Sequence, residues 1–216
     1  MKVLVATRNR GKFQEIVRLL GPAGFTPVGL EDTGLFGEAQ EHGQTYLENA
    51  AAKALYWSRQ YEGPVLAEDS GLEVQTLGGK PGIHTARYGG PGLTDAQRIQ
   101  KLLDELAAAA GADRQVAPTT AGAAHAAGTS RAAAYKCAAV LANGGTLIAS
   151  FSGACQGEIA AAPRGSGGFG YDPIFLYPPL GKTFAELAAD EKDKISHRGA
   201  ALRALAEHLK KHGMSA

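Results

Sequence analysis

An α/β fold built on a mixed sheet is predicted by three features of this 216-residue sequence. Short apolar runs alternate with helix-periodic stripes through its first half, an Asn-Gly-Gly turn joins two later strand-like runs, and the last stretch returns to helix. The run Val3 to Ala6 is continuously apolar, as an interior strand should be. Phe13, Ile16, Val17 and Leu20 then fall at i, i+3, i+4 and i+7, which makes a helix closed by Gly21 and Pro22. A second helix starts at Thr45, whose spacing to Glu48 is that of a capping box, with Leu47, Ala51, Ala54 and Leu55 turned inward. Pro64 to Asp69, "PVLAED", reads as a second buried strand that ends in charge. Beyond it Leu72, Val74 and Thr76 alternate with polar residues, the pattern of a strand with one wet face. Thr94 and Gln97 cap a third helix with Ile99, Leu102, Leu103 and Leu106 in one stripe.

From Ala107 onward the composition falls to Ala, Gly and Thr, with too little large aliphatic surface to bury a face, so 107–130 is expected to be a flexible insertion. Ala138 to Leu141 and Thr146 to Phe151 flank "NGG", a hairpin signal that puts antiparallel strands in the sheet. Thr183 and Glu186 cap a short helix. Ser196 precedes a final one that buries Leu202, Leu205, Ala206 and Leu209.

The chain is long enough, at 44% hydrophobic residues, for one sizeable domain or two closely packed lobes. Twenty-two Lys and Arg against 21 Asp and Glu leave a net charge of +1, so no global field would recruit a nucleic-acid polymer or an acidic membrane. Any anion has to be gripped locally. The N-terminal apolar run is too short for a signal peptide and no stretch has the length of a membrane span, so a cytoplasmic protein is expected. Cys137 and Cys155 lack metal-ligand spacing and read as strand thiols.

Two motif matches fail on context. Gly165 to Gly170, "GSGGFG", has the letters of a dinucleotide fingerprint, yet Pro163 precedes it and "YDP" follows where a helix should begin. Gly181 to Thr183, "GKT", would need a glycine at Leu176 to be a P-loop, and Pro178 and Pro179 occupy its loop.

Four polar clusters remain, each where an element begins or ends. In Thr7 to Lys12, the residues Arg8, Asn9, Arg10 and Lys12 meet the free N–H groups of a helix start, which suits phosphate, or else form a solvated turn with an Asn cap. Glu68 and Asp69, with Glu38 and Glu41 on the loop before the second helix, are carboxylates that repel unless a cation intervenes. Mg²⁺ bridging them to substrate phosphates answers that, and a plain surface turn is the alternative. In Phe169 to Pro173, glycine allows close approach, Phe169 and Tyr171 offer π faces and Asp172 an acceptor, unless the aromatics merely plug the core. Lys192, His197 and Arg198 crowd the start of the last helix, where cations oppose the macrodipole unless something negative or acceptor-rich meets them. Together they describe a triphosphate site with a metal and a base-reading pocket.

In "TRNRGK", "ENAAAKA", "EDSGLEV", "LGGKPGIHTARY", "GGFGYDPIF" and "EKDKISHRGAAL", taken in order from Thr7 to Leu202, the sequence resembles the inosine triphosphate pyrophosphatase-like enzymes. These hydrolyse non-standard purine nucleoside triphosphates such as ITP, dITP and XTP to the monophosphate and pyrophosphate. The resemblance implies an elongated mixed sheet flanked by helices in two lobes, a central cleft, a homodimer and Mg²⁺ as cofactor. It further implies that Glu41, Glu68 and Asp69 hold the metal, with Asp69 the catalytic base for a water attacking the α-phosphorus. Thr7, Arg8, Asn9, Arg10, Gly11, Lys12, Lys53 and Ser70 would bind the substrate's phosphate side. Phe169 would stack the purine, and Gly170, Tyr171, Asp172, Lys192, His197 and Arg198 would line its edges. The 107–130 stretch is longer than the usual connection in such enzymes. A pyrophosphatase for other nucleotides and a non-catalytic nucleotide sensor are the competing readings.

Overall fold

Lys2–Val5 form β1, whose three apolar residues are buried because parallel strands cover both of its edges and helices both of its faces. The computed structural model describes residues 1–116 and 130–212. After β1 come α1 (Arg10–Leu20), β2 (Thr26–Gly29), α2 (Tyr46–Ser58), β3 (Val65–Val74) and α3 (Asp95–Val116). There follow β4 (Ala132–Asn143), β5 (Thr146–Ile159), β6 (Phe175–Tyr177), β7 (Lys182–Thr183), α4 (Ala189–Ile195) and α5 (His197–Lys211). Among the described residues seven strands lie in the order β2-β1-β3-β4-β5-β6-β7. β1 is parallel to both β2 and β3, while β5–β6 and β6–β7 are antiparallel, so the sheet is mixed as the turn signal predicts. That turn is Gly144-Gly145, both at positive φ (54° and 78°), which a two-residue hairpin of matching twist requires.

The described residues fall into two compact units. The first comprises 1–71, 135–155 and 189–212; the second comprises 72–116, 130–134 and 156–188. In the first, alternate residues of each strand face opposite layers. Val3, Val5 and Leu66 pack with Ile16 and Leu20 of α1 and with Leu202, Leu205 and Leu209 of α5. Leu4, Ala6, Val65 and Ala67 pack on the other side against Ala50, Ala54 and Trp57 of α2. Each fully buried Leu or Ile contributes roughly 1.5–3 kcal/mol. In the second unit Ile99, Leu102 and Leu106 of α3 are buried, as their spacing predicts, and Phe175 meets Phe184 edge to face at 4.7 Å.

Several expectations change. The charged pair does not end a strand: β3 runs unbroken from Val65 through Glu68 and Asp69 to Val74, because both acids are neutralised by side chains far away in sequence. Gln75–Leu77, with Thr76 at its centre, is a single tight turn instead of strand. On α1 Val17 is 38% exposed and Glu15 takes a buried place; on α2 Leu47 is 48% exposed while Asn49 is buried. β2 lacks a sequence signal since its four residues include Pro27, acceptable only at a sheet edge. α3 continues to Val116, carrying ten residues of the expected insertion as helix, which alanine favours; 117–129 lies outside the described residues. Gly165 to Gly170 leads into turns, not a helix, and Lys182–Thr183 is a strand, so neither rejected motif has the required context. Cys137 and Cys155 are free and buried, burial pushing the Cys155 thiol up to about 11. No helix among the described residues is long and apolar enough to cross a membrane.

Candidate active site

β1 is followed by β2 on one side and by β3 on the other, and all three run parallel. The chain therefore reverses its direction of winding at β1, and the carboxyl ends of such strands open a crevice between the diverging loops. Val5 pairs with Leu66, so β3 overhangs β1 and carries Glu68 and Asp69 alongside the Thr7–Asn9 turn. In that turn Thr7 Oγ1 accepts the Asn9 N–H at 3.2 Å, and Asn9 Oδ1 accepts the Lys12 N–H at 3.0 Å. Asn9 is thus the helix cap, and its side-chain oxygen is committed to α1. Gly11 lies in the first turn of the same helix.

Adjacent residues of a strand point to opposite faces. Glu68 turns toward α1 and α5, where Lys12 Nζ stands 2.8 Å from Oε1 and an Arg198 nitrogen 3.3 Å from Oε2. Ser70, on the same face, accepts from Arg198 at 2.9 Å. Asp69 turns toward α2. There Asn49 Nδ2 donates to its Oδ2 at 3.2 Å and Lys53 Nζ lies 3.6 Å from its Oδ1. Lys53 also meets Glu41 Oε1 at 2.9 Å, so one ammonium joins the loop carboxylate to the strand carboxylate.

The two acids differ electrically. Burial works to raise Glu68, but the charges of Arg198 and Lys12 prevail and hold it well below the ordinary carboxylate value. Burial also raises Asp69, and there Lys53 and Lys12 do not fully compensate, leaving it more basic than a free aspartate. Lys53 is held above its ordinary value, since the charges of Asp69 and Glu41 outweigh its own burial. A carboxylate with raised proton affinity, fixed by an amide donor, is suited to act as a general base.

A hollow of about 140 Å³ is lined by Glu41 and Lys53 of this network together with Thr7, Arg8, Glu38 and Trp57 among others, and by neither Glu68 nor Asp69. Arg8 donates to the Gly37 carbonyl and so ties the first turn to the loop that carries Glu38 and Glu41. Arg10 faces away: its nearest carboxylate is Glu31 at 4.0 Å, and both side chains are largely exposed.

Lys192 and Arg198 come together on Glu15, Lys192 at 2.7 Å. His197 opens α5, buried, with its ring stacked on Tyr135 at 4.6 Å and 9°. Burial and the neighbouring Arg198 charge keep it well below the usual imidazole value, so it is neutral at working pH. Glu15 and Tyr135 lie outside the motifs read from the sequence, and Asn49 lies within "ENAAAKA" but was given no role there.

The remaining four predicted residues belong to the second unit. Gly170, at φ 61°, gives its N–H to Asp95 Oδ2 at 2.9 Å, and Asp172 Oδ2 accepts the Phe169 N–H at 2.9 Å. Tyr171 is buried with its hydroxyl donating to the Thr85 carbonyl at 3.3 Å, so it serves the core of its unit. Phe169 keeps a partly exposed ring.

Among the described residues no three His, Cys, Asp or Glu side chains converge into a finished metal cage. Mg²⁺ seldom has one: it takes one or two carboxylates and completes its shell with water and substrate phosphates. Glu41 and Asp69 supply oxygen donors that already converge on Lys53, so these two fit that ion, whereas Glu68 stands on the opposite face of β3, held by Lys12 and Arg198.

The chain is similar to known proteins over nearly its whole length. A family model described as the Ham1 family matches residues 3–208. A dITP/XTP pyrophosphatase of Thermus thermophilus is 44% identical over 210 residues, 97% of this chain and 92% of the relative. One of Syntrophobacter fumaroxidans is 45% identical over 200 residues, covering 93% of this chain and 78% of its own. A solved HAM1 protein from Coxiella burnetii superposes with a TM-score of 0.81 at 36% identity, covering 98% of this chain and 99% of that one.

Proposed function

The chain belongs to the Ham1 family, and from that membership we infer that it hydrolyses non-standard purine nucleoside triphosphates, dITP and XTP among them, to the monophosphate and pyrophosphate. The observation that supports this reading best is the pairing of Lys12 with Glu68 and of Lys53 with Asp69, on opposite faces of one strand. Both lysines supply charge for a polyphosphate, next to the free N–H groups of α1. Asp69 takes a proton from a water molecule as that water attacks the α-phosphorus. The bond from that phosphorus to the bridging oxygen breaks, and pyrophosphate leaves. Asn49 and Lys53 keep the Asp69 carboxylate aimed through this step.

Mg²⁺ on the carboxylates of Glu41 and Asp69 would stabilise the charge gathering on the leaving group. Lys192, His197 and Arg198 supply the polar contacts to the edge of the base. A 6-oxo purine offers an acceptor to such donors. A 6-amino purine leaves them unmatched, which is enough for selectivity of order 10⁴. The same reading makes the protein a cytoplasmic homodimer.

Pyrophosphate release from dITP, XTP, dUTP, dATP and dGTP with Mg²⁺ tests it directly. Fast release from dITP and XTP and slow release from dATP are expected. Equal rates on all five refute the base selectivity, and nucleotide binding without release makes the protein a sensor. Asp69→Asn should abolish turnover while nucleotide affinity is retained; a near wild-type rate removes Asp69 from the role of base.

A further inference from the structure

Glu15 sits in the middle of α1 with 3% of its surface exposed, a place an acid takes only when paired. Its two oxygens are divided between two helices remote in sequence. Lys192 of α4 donates to Oε1 at 2.7 Å, and Arg198 of α5 donates to Oε2. Both cations are themselves at least 96% buried. The same guanidinium then reaches Glu68 and Ser70 with its other terminal nitrogen, and Glu68 goes on to Lys12. Burial pushes the Glu15 carboxyl up, but Arg198 and Lys192 more than reverse this, so it is ionised at working pH. Glu15 and Glu68 against Lys12, Lys192 and Arg198 leave this buried group one positive charge in excess. Without Glu15 the excess is two, and Lys192 and Arg198 repel one another with less to hold them.

We propose that Glu15 is a positioning residue for base selection: it draws Lys192 and Arg198 onto one carboxylate and fixes the direction in which they face substrate. The proposal rests on the reading above, in which those two cations meet the purine edge. Selectivity depends on donors standing in one place, because a donor free to turn away from a 6-amino group is not left buried and unmatched by it. Glu15 touches no reacting atom in this scheme and acts through the two side chains it holds.

The test uses Glu15→Gln, which keeps the shape and removes the charge, and Glu15→Asp, which keeps the charge on a shorter arm. For each, kcat and KM on dITP and on dATP are measured beside thermal melts. The ratio of kcat/KM for dITP over dATP should fall at least tenfold in Glu15→Gln, with Glu15→Asp recovering a substantial part. A purely structural role lowers the active fraction, which scales both substrates alike and leaves the ratio in place. A ratio within twofold of wild type in Glu15→Gln overturns the proposal, as does an equal fall in both variants. Should Glu15→Gln fail to fold, Glu15→Asp decides alone: a threefold fall in the ratio supports the assignment and an unchanged ratio overturns it. Wild-type protein that releases no pyrophosphate from dITP refutes the functional reading and takes the proposal with it; a working wild type with an unmoved ratio refutes the proposal alone.

Discussion

Adding one methyl group at Gly153 should damage this protein more than its position on a strand suggests. Gly153 lies in β5 beneath the first turn of α5, and its backbone is ordinary in conformation, so only space demands a glycine there. A Cβ would stand 2.1 Å from the His197 carbonyl oxygen, 2.8 Å from the Ala201 nitrogen and 3.0 Å from the Ala200 methyl. Favourable contact begins at about 3.5 Å, so strand and helix have to separate by about 1.4 Å along that contact. Two of the three obstacles are backbone atoms and cannot rotate aside. Overpacking of this kind costs roughly 1–3 kcal/mol. At about 2–4 °C per kcal/mol for a chain of this size, Gly153→Ala should lower Tm by roughly 2–12 °C. The moved turn begins with His197 and Arg198, so kcat/KM on dITP should also fall, by up to about 10²-fold for a displacement of that size. Gly21→Ala is the control: φ is −53° there and nothing lies within 4 Å of the added atom, so Tm should hold or rise slightly. Thermal melts and steady-state kinetics on both variants decide the matter. A Gly153→Ala protein with wild-type Tm and rate would show that α5 does not rest on β5 as described.

Ser196 is buried and accepts the Gly199 N–H at 3.0 Å as the cap of α5, so Ser196→Ala should cost about 1 kcal/mol, read as a lower urea midpoint at constant m. Glu15 is held below its ordinary value in the folded state; its contribution is therefore complete above an unfolded pKa of about 4.3 and drains away as pH falls through the folded value. Urea midpoints followed from pH 7 down to about pH 3, well below the unfolded value, should show wild type losing more over that interval than Glu15→Gln, which starts lower and changes less. Equal losses would mean that Glu15 carries no shifted charge.

What could be read from the sequence was whatever neighbours in the chain decide. The caps at Thr45, Thr94 and Ser196, the hairpin at Gly144-Gly145 and the stripe on α3 all rest on local geometry, and all are present. The clusters at Thr7–Lys12, Glu68–Asp69 and Lys192–Arg198 were visible for the same reason: charge at the edge of an apolar run stands out. Hidden from view was everything that depends on distant partners. β3 passes through two acids only because Lys12, Lys53 and Arg198 neutralise them, and Arg198 is 130 positions away from Glu68. Glu15 looks like a solvated helix residue until α4 and α5 deliver two cations to it. Asn9 and Arg10 look alike as phosphate ligands, yet one is occupied as a cap and the other is turned outward.

The two-sidedness of β3 sets a strict rule on length. Losing a single codon between Val65 and Glu68 would shift every later residue by one place, handing the aspartate to Lys12, setting Ser70 opposite Lys53 and moving the glutamate to the place of Ala67. Each acid would then have the wrong reach and the wrong proton affinity for its new surroundings. A conservative exchange of the two letters at these positions is for the same reason a severe change, and one that composition or hydropathy would never register.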